Sequence, residues 1–217
     1  MSEQMIEILI KGIWETLYMT VVSTAFAYLL GIPLGVVLYI TDKNSICHNK
    51  TFNFIVGAIV NMVRSVPFLI LLVAILPFTR LVVGTTIGST ATIVPLVIAA
   101  APFVARMVES SLKEVDLGVI EAAKAMGSSV PQIIFKVLLP EAKPSLLVGC
   151  TISLATILGY SAMAGFVGGG GLGAIAINYG YYRYQGDIMW ITVILLVVFV
   201  QLFQEIGLRI VRKVDKR

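Results

Sequence analysis

The stretch Glu121–Pro140, EAAKAMGSSVPQIIFKVLLP, is a polar, heavily punctuated interruption in an otherwise apolar chain. Upstream of it, Asp116 is a helix-capping residue, and the apolar Leu117, Ile120, Ala123 and Met126 recur at every third position along a predicted helix face. Gly127 predicts the stop, because a glycine just past the last periodic residue adopts the left-handed conformation that closes a helix end. Ser129 followed by Gln132 has the pattern of a capping box, and Pro131 sits in the first turn, where its missing N–H costs nothing. The expected local structure is helix, tight turn, helix, with the second helix ending at Pro140 and Ala122, Ala123 and Ala125 leaving a low, close-packing surface. Local chemistry leaves two readings open: a docking element, or a plain surface hairpin between two other elements.

Outward from this stretch, 58% of the chain is hydrophobic, 13% is charged, and the mean hydropathy is +0.96. Such a composition excludes a soluble globular domain and points to an integral membrane protein. The formal net charge of +4 does not imply a nucleic-acid partner, because the basic residues collect in loops and at the chain end rather than on one face. Cys47 and Cys150 lie outside any metal-ligand or CxxC spacing and read as two unpaired thiols, and the lone His48 reads as solvated. The opening MSEQMIEILIKGIWE is acidic and carries no small-residue cleavage site, so no cleaved signal peptide is expected.

Ser2–Lys11 alternates charged and apolar residues, as a short amphipathic helix on the membrane interface would. Five apolar spans follow, at about 16–41, 54–79, 87–107, 145–167 and 188–206. The first contains Gly31 and Gly35 around Pro33, a small-residue face suited to close helix packing. The second is interrupted by Arg64, Pro67 and Pro77, and the third by Pro95 and Pro102; broken spans line cavities rather than face lipid. The fourth runs into the glycine-rich Gly165–Gly173 and then the aromatic stretch Tyr179–Tyr184, a composition favoured at membrane interfaces. The expected fold is an all-α membrane protein, one domain over 1–217, of about five transmembrane helices with a helical coupling loop at 108–143 between spans three and four.

Basic residues orient the chain. Lys43, Lys50, Arg106, Lys113, Lys124, Lys136, Lys143 and the C-terminal Arg209, Arg212, Lys213, Lys216 and Arg217 fall on one side, against Lys11, Arg80 and Arg183 on the other. The loop and the C-terminus are therefore expected in the cytoplasm and the N-terminus outside.

No catalytic constellation is legible: there is one histidine, no HExxH, and no nucleophile beside an obvious base. Gly168–Gly173, GGGGLG, satisfies GxGxxG but lacks the preceding strand that a dinucleotide site needs, and reads as flexible or closely packed backbone at the outer mouth of a pathway. There is no GxxxxGK[ST], hence no phosphate-binding loop of that kind, and apart from Glu205 at the end of the fifth the spans hold no acids for ion coupling. Energy is expected from a separate ATPase. Arg64 has two readings, a site for an anionic group such as a carboxylate, or a snorkelling or paired structural charge. Arg106 and Glu109 read as a local helix pair. Tyr160, Ser161 and Met163 in span four are the expected pathway residues, with ordinary helix packing as the competing account.

Glu121, Ala122, Ala123 and Gly127, followed after nine residues by Val137, Leu138, Leu139 and Pro140, resemble the EAA loop of ABC-importer permeases. NMVRSVPFLILL (61–72), PFTRLVVGTTIG (77–88), APFVARMVESSL (101–112) and GYSAMAGFVGGGGLG (159–173) extend the likeness to the methionine-import permeases over nearly the whole length. The resemblance implies that Glu121, Ala122, Ala123, Gly127, Leu139 and Pro140 couple to an ATPase. It implies a homodimer in a bacterial inner membrane, two cytoplasmic ATP-binding-cassette subunits that hold ATP and Mg, and an extracytoplasmic binding lipoprotein that delivers methionine. No cofactor or metal is expected on this chain. One docking loop and no internal repeat independently call for two copies. The alternatives are a permease for another small amino acid or osmolyte, and a gradient-driven carrier or channel.

Overall fold

The computed structural model describes residues 3–43 and 45–214, so Ser2 of the expected interfacial helix and Lys216 and Arg217 of the basic terminus lie outside the described residues. Long apolar runs with few breakers dictate helices, and the described residues are helical with no strand among them. α1 (Glu3–Ile40) is a single helix of 38 residues, about 57 Å long at 1.5 Å per residue. The expected break between an interfacial helix and span one does not exist. Thr16, Thr20 and Thr24 donate their hydroxyls to the carbonyls four residues earlier at 2.7–2.8 Å, so their polarity is absorbed by the helix itself. Leu9 is buried with Leu172, Ile175 and Ile188, so the first turns dock on the second half of the chain instead of lying flat on a surface.

The second span, which the sequence interrupts at Arg64, Pro67 and Pro77, is not one helix. It is divided into α2 (Lys50–Ser65), α3 (Phe68–Ala74) and α4 (Leu76–Val83), and the axis turns by 101° between α2 and α3. Pro67 causes the turn: it offers no N–H and forces the preceding residue out of the helical region, and Val66 is extended at φ −80°, ψ 125°. α5 (Ser89–Lys113) contains Pro95 and Pro102 and stays one helix. Its partner is α1, and the two backbones come together at the glycines. A Cβ on Gly31 would lie 2.5 Å from Val104 Cγ1, and one on Gly35 2.6 Å from the Ala105 carbonyl oxygen. The main core, with Leu96, Val104, Val108 and Leu112 fully or almost fully buried, is built around α5.

After α5 come α6 (Leu117–Ala125), α7 (Val130–Ile133), a π turn at Ile134–Leu138 and α8 (Leu139–Glu141). α9 (Lys143–Ala164) leads through a 3₁₀ turn at Gly165–Val167 to α10 (Gly171–Ile175) and a second π turn at Ala176–Tyr181, and α11 (Gly186–Val214) closes the fold. Among the described residues, four helical stretches are long and apolar enough to cross a membrane, Glu3–Ile40, Ser89–Lys113, Lys143–Tyr181 and Gly186–Val214, and a fifth is counted if the bent α2–α3 pair is taken as one span.

The glycine run before α10 is close-packed backbone. The N–H groups of Gly171 and Leu172 donate to Glu15 Oε2 and Thr16 Oγ1 of α1, both at 2.8 Å, and Gly88 N–H donates to the Gly168 carbonyl at 2.9 Å. A Cβ on Gly173 would fall inside the backbone of Ala162. α1 therefore caps the start of α10, and at Gly171, where a Cβ would lie 2.6 Å from Thr16 Oγ1, no side chain fits between them.

Candidate coupling site and pathway

The hairpin between α5 and α9 is punctuated as its sequence requires. Asp116 Oδ1 accepts the Gly118 N–H at 2.6 Å, opening α6. Gly127 closes it at φ +78°, with its N–H on the Lys124 carbonyl at 2.9 Å and the Ser128 N–H on the Ala123 carbonyl at 3.1 Å. Ser129 N–H donates to Gln132 Oε1 at 2.8 Å to start α7. The second arm runs one residue past Pro140 to Glu141. The π turn before it widens the backbone where Pro140 supplies no donor.

Burial divides the predicted apolar face of α6. Ile120 and Ala123 are buried and join Ile133, Leu138 and Ala142 against Val108, Leu112 and Val115, which locks the hairpin onto the end of α5. Leu117 and Met126, expected on the same face, are 63% and 79% exposed. The reason is geometric: three residues are less than a turn of 3.6, so a strict every-third pattern drifts about 60° per step and only its middle members face one neighbour. Glu121, Ala122, Ala125 and Gly127 are exposed, as are Val119 and Phe135. Of the expected coupling residues, then, Glu121, Ala122, Gly127 and Pro140 are on the surface, Leu139 is half-buried, and Ala123 seats the helix.

The expected pathway residues occupy three different environments. Tyr160 stacks on Phe68, the first residue of α3, with ring centroids 4.6 Å apart and planes within 6°. Ser161 is buried and donates to the Leu158 carbonyl at 2.7 Å, whereas Met163 is 45% exposed. Arg64 is exposed in the last turn of α2, just before the bend, with no ion pair among the described residues. Tyr160 and the α2–α3 bend are brought together; Ser161 is turned back onto its own helix.

A polar network at the base of α5 escaped the sequence reading. Arg106 and Glu109 pair at 2.6 Å, as their spacing predicts. But Arg106 also donates to the Gly57 carbonyl at 3.1 Å and to Asn61 Oδ1 at 2.9 Å, both on α2. Lys113 Nζ bridges Glu109 Oε1 at 2.8 Å and Asp42 Oδ2 at 2.9 Å, reaching the α1–α2 turn. The Lys113 hydrogen bond, then that from the Lys43 N–H, holds the Asp42 carboxyl below the usual carboxylate range, against a small opposing effect of burial. The helical spacing of Arg106, Glu109 and Lys113 was a legible signal for the α5 members; nothing local marks Asp42, Gly57 or Asn61.

A sequence profile described as "Binding-protein-dependent transport system inner membrane component" matches residues 28–217. The "Probable D-methionine transport system permease protein MetI" of Vibrio cholerae is 55% identical over 211 residues, 97% of this chain and 94% of that protein. The "D-methionine transport system permease protein MetI" of Escherichia coli K12 is 54% identical over 165 residues, 76% of each. Among solved structures, a chain from the inward-facing MetNI methionine ABC transporter superposes with a TM-score of 0.98 at 53% identity, covering all of both chains. A chain of an amino acid ABC transporter superposes with a TM-score of 0.79 at 20% identity, a likeness of fold alone, over 97% of this chain and 95% of that one.

Proposed function

This chain belongs to the family of binding-protein-dependent transport system inner membrane components, and from that premise we propose that it is the permease subunit of an ATP-driven methionine importer. The observation that carries this reading is the full-length likeness, at 53% identity, to a chain of the MetNI methionine ABC transporter. Two copies enclose the pathway, and ATP and Mg bind on separate cytoplasmic subunits. A binding lipoprotein delivers substrate from outside, where the N-terminus also lies; the C-terminus is cytoplasmic. Residues 1–217 act as one permease unit, with the 108–143 loop as its cytoplasmic handle.

The handle works as a rigid lever because Ile120 and Ala123 are buried in the same core as Val108 and Leu112. The exposed Glu121, Ala122 and Gly127, with Leu139 and Pro140 on the second arm, meet the ATPase. ATP shifts the permease between inward-facing and outward-facing states only through contacts that differ between the open and closed ATPase. Displacement of α6 carries α5 with it. Along the pathway, Arg64 meets the substrate carboxylate, and Tyr160 and Met163 line the passage, where a flexible thioether fills an irregular gap; Ser161, bonded back onto its own helix, supports that wall from behind.

Proteoliposomes holding this chain with its ATPase subunit, with and without the external binding protein, test the reading through ATP hydrolysis and labelled-methionine uptake. Uptake that needs both ATP and the binding protein is expected. Uptake that proceeds without ATP and collapses with an ionophore overturns the ATP-driven reading; hydrolysis stimulated without methionine uptake keeps the class and discards the substrate. Replacing Glu121, or Gly127→Asp, is expected to uncouple hydrolysis from uptake while the bundle stays folded.

A further inference from the structure

Glu109 is only 7% exposed and is held by a cation on either side, Arg106 at 2.6 Å and Lys113 at 2.8 Å. Spacings of three and four residues on one helix would account for a local pair. Both cations, however, reach beyond α5, Arg106 to Gly57 and Asn61 on α2, Lys113 to Asp42 in the α1–α2 turn. Two carboxylates balance two cations, so the cluster is neutral and each member has a partner. A buried ion pair is weak evidence of added stability, since desolvation cancels much of the attraction. What such a network does secure is relative position. Among the described residues, the Arg106 fork is the one hydrogen-bonded tie between α5 and α2.

Its location gives that tie a consequence. α5 ends at Lys113, and after three intervening residues the chain enters α6. α2 ends at the Pro67 bend, beyond which Phe68 stacks on Tyr160. The network therefore joins the helix that carries the coupling hairpin to the helix that leads into the bend. We infer that Arg106, Glu109 and Lys113 are positioning residues that pass displacement of α6 to α2 and its bend, so that the network governs how much of each ATP-driven movement reaches the pathway. The inference rests on the coupling role of α6 in the importer reading.

The test measures ATP hydrolysis and methionine uptake together, in proteoliposomes holding the complete importer. Glu109→Gln keeps shape and removes charge, and Arg106→Lys keeps charge but loses the fork that serves three partners. Both are expected to leave hydrolysis near the wild-type rate and to raise ATP consumed per methionine by roughly 2- to 30-fold, the span of couplings carried through packed networks. Asp42→Asn spares the buried Arg106–Glu109 pair and the fold, and is expected to give a smaller rise; Glu109→Asp, retaining the charge, recovers part of the Glu109→Gln loss. If hydrolysis and uptake fall in step, with ATP per methionine unchanged in all of these variants, the network is only structural and the inference is overturned. Gly127→Asp is the control: if it uncouples while the network variants keep the wild-type ratio, the importer reading stands and this inference alone falls.

Discussion

Pro67 and Pro102 sit in comparable apolar sequence and do opposite things. Pro67 turns the chain through 101° between α2 and α3, whereas Pro102, with Pro95, lies inside a continuous α5 of 25 residues. The proline chemistry is the same in both, a missing donor and a clash with the carbonyl four residues back. The difference is the surroundings. Pro95 and Pro102 are buried, and α5 is gripped along its length by α1 through Gly31 and Gly35. Pro67 is exposed, as are Arg64, Ser65 and Val66 before it, and burial resumes only at Phe68. A proline bends a helix where no neighbour holds it straight.

Phe68→Ala should give the largest effect, because the arm beyond the bend is anchored by this buried ring and its stack on Tyr160. A loss of about 3–5 kcal/mol is expected for truncating a buried aromatic, measured as a fall in the thermal unfolding temperature in detergent together with reduced uptake. A negligible shift would mean that the bend is held by its backbone alone. Gly35→Leu attacks the other side of the comparison by forcing α1 from α5, where the Ala105 carbonyl leaves no room for a side chain. Overpacking of this kind costs about 1–3 kcal/mol, and the same unfolding measurement should detect it; wild-type stability would mean that α5 does not depend on α1 to stay straight.

Substituting the prolines themselves sharpens the contrast. Pro102→Ala should change stability by less than about 1 kcal/mol, since the helix already accommodates the ring and the remaining effect lies mainly in the unfolded chain. Pro67→Ala should instead reduce methionine uptake, because the helical path it permits would pull Phe68 off Tyr160; equal uptake by the two variants would erase the distinction. The smallest effect concerns pH. The Asp42 carboxyl is held below its ordinary value, so its pairing with Lys113 contributes fully above the unfolded value of about 3.9 and is lost as pH falls through the lower folded value. Unfolding temperatures between pH 5 and 8 should therefore not move on account of this pair, and Asp42→Asn should flatten a decline seen only below about pH 4.

What could be read from the residues depended on range. Asp116, Gly127, Ser129 and Gln132 act on backbone groups within five residues, so the hairpin's ends were legible before any fold was known. Apolar runs long enough to cross a membrane are likewise a property of the chain itself, and so is the small-residue face of α1. The break expected between the interfacial helix and span one and the single apolar face of α6 were misread, because each depends on a neighbour that local pattern does not contain.

The sequence by itself determined a helical membrane protein with a capped, polar hairpin, because hydropathy and capping are local free energies. Only the tertiary structure decided which prolines bend, that Glu15 and Thr16 cap α10 from 156 residues away, and that Arg106 and Lys113 tie α5 to α2 and to the α1–α2 turn. Those outcomes follow from which surfaces meet, and a hydrogen bond between distant residues exists only once packing has brought its donor and acceptor together.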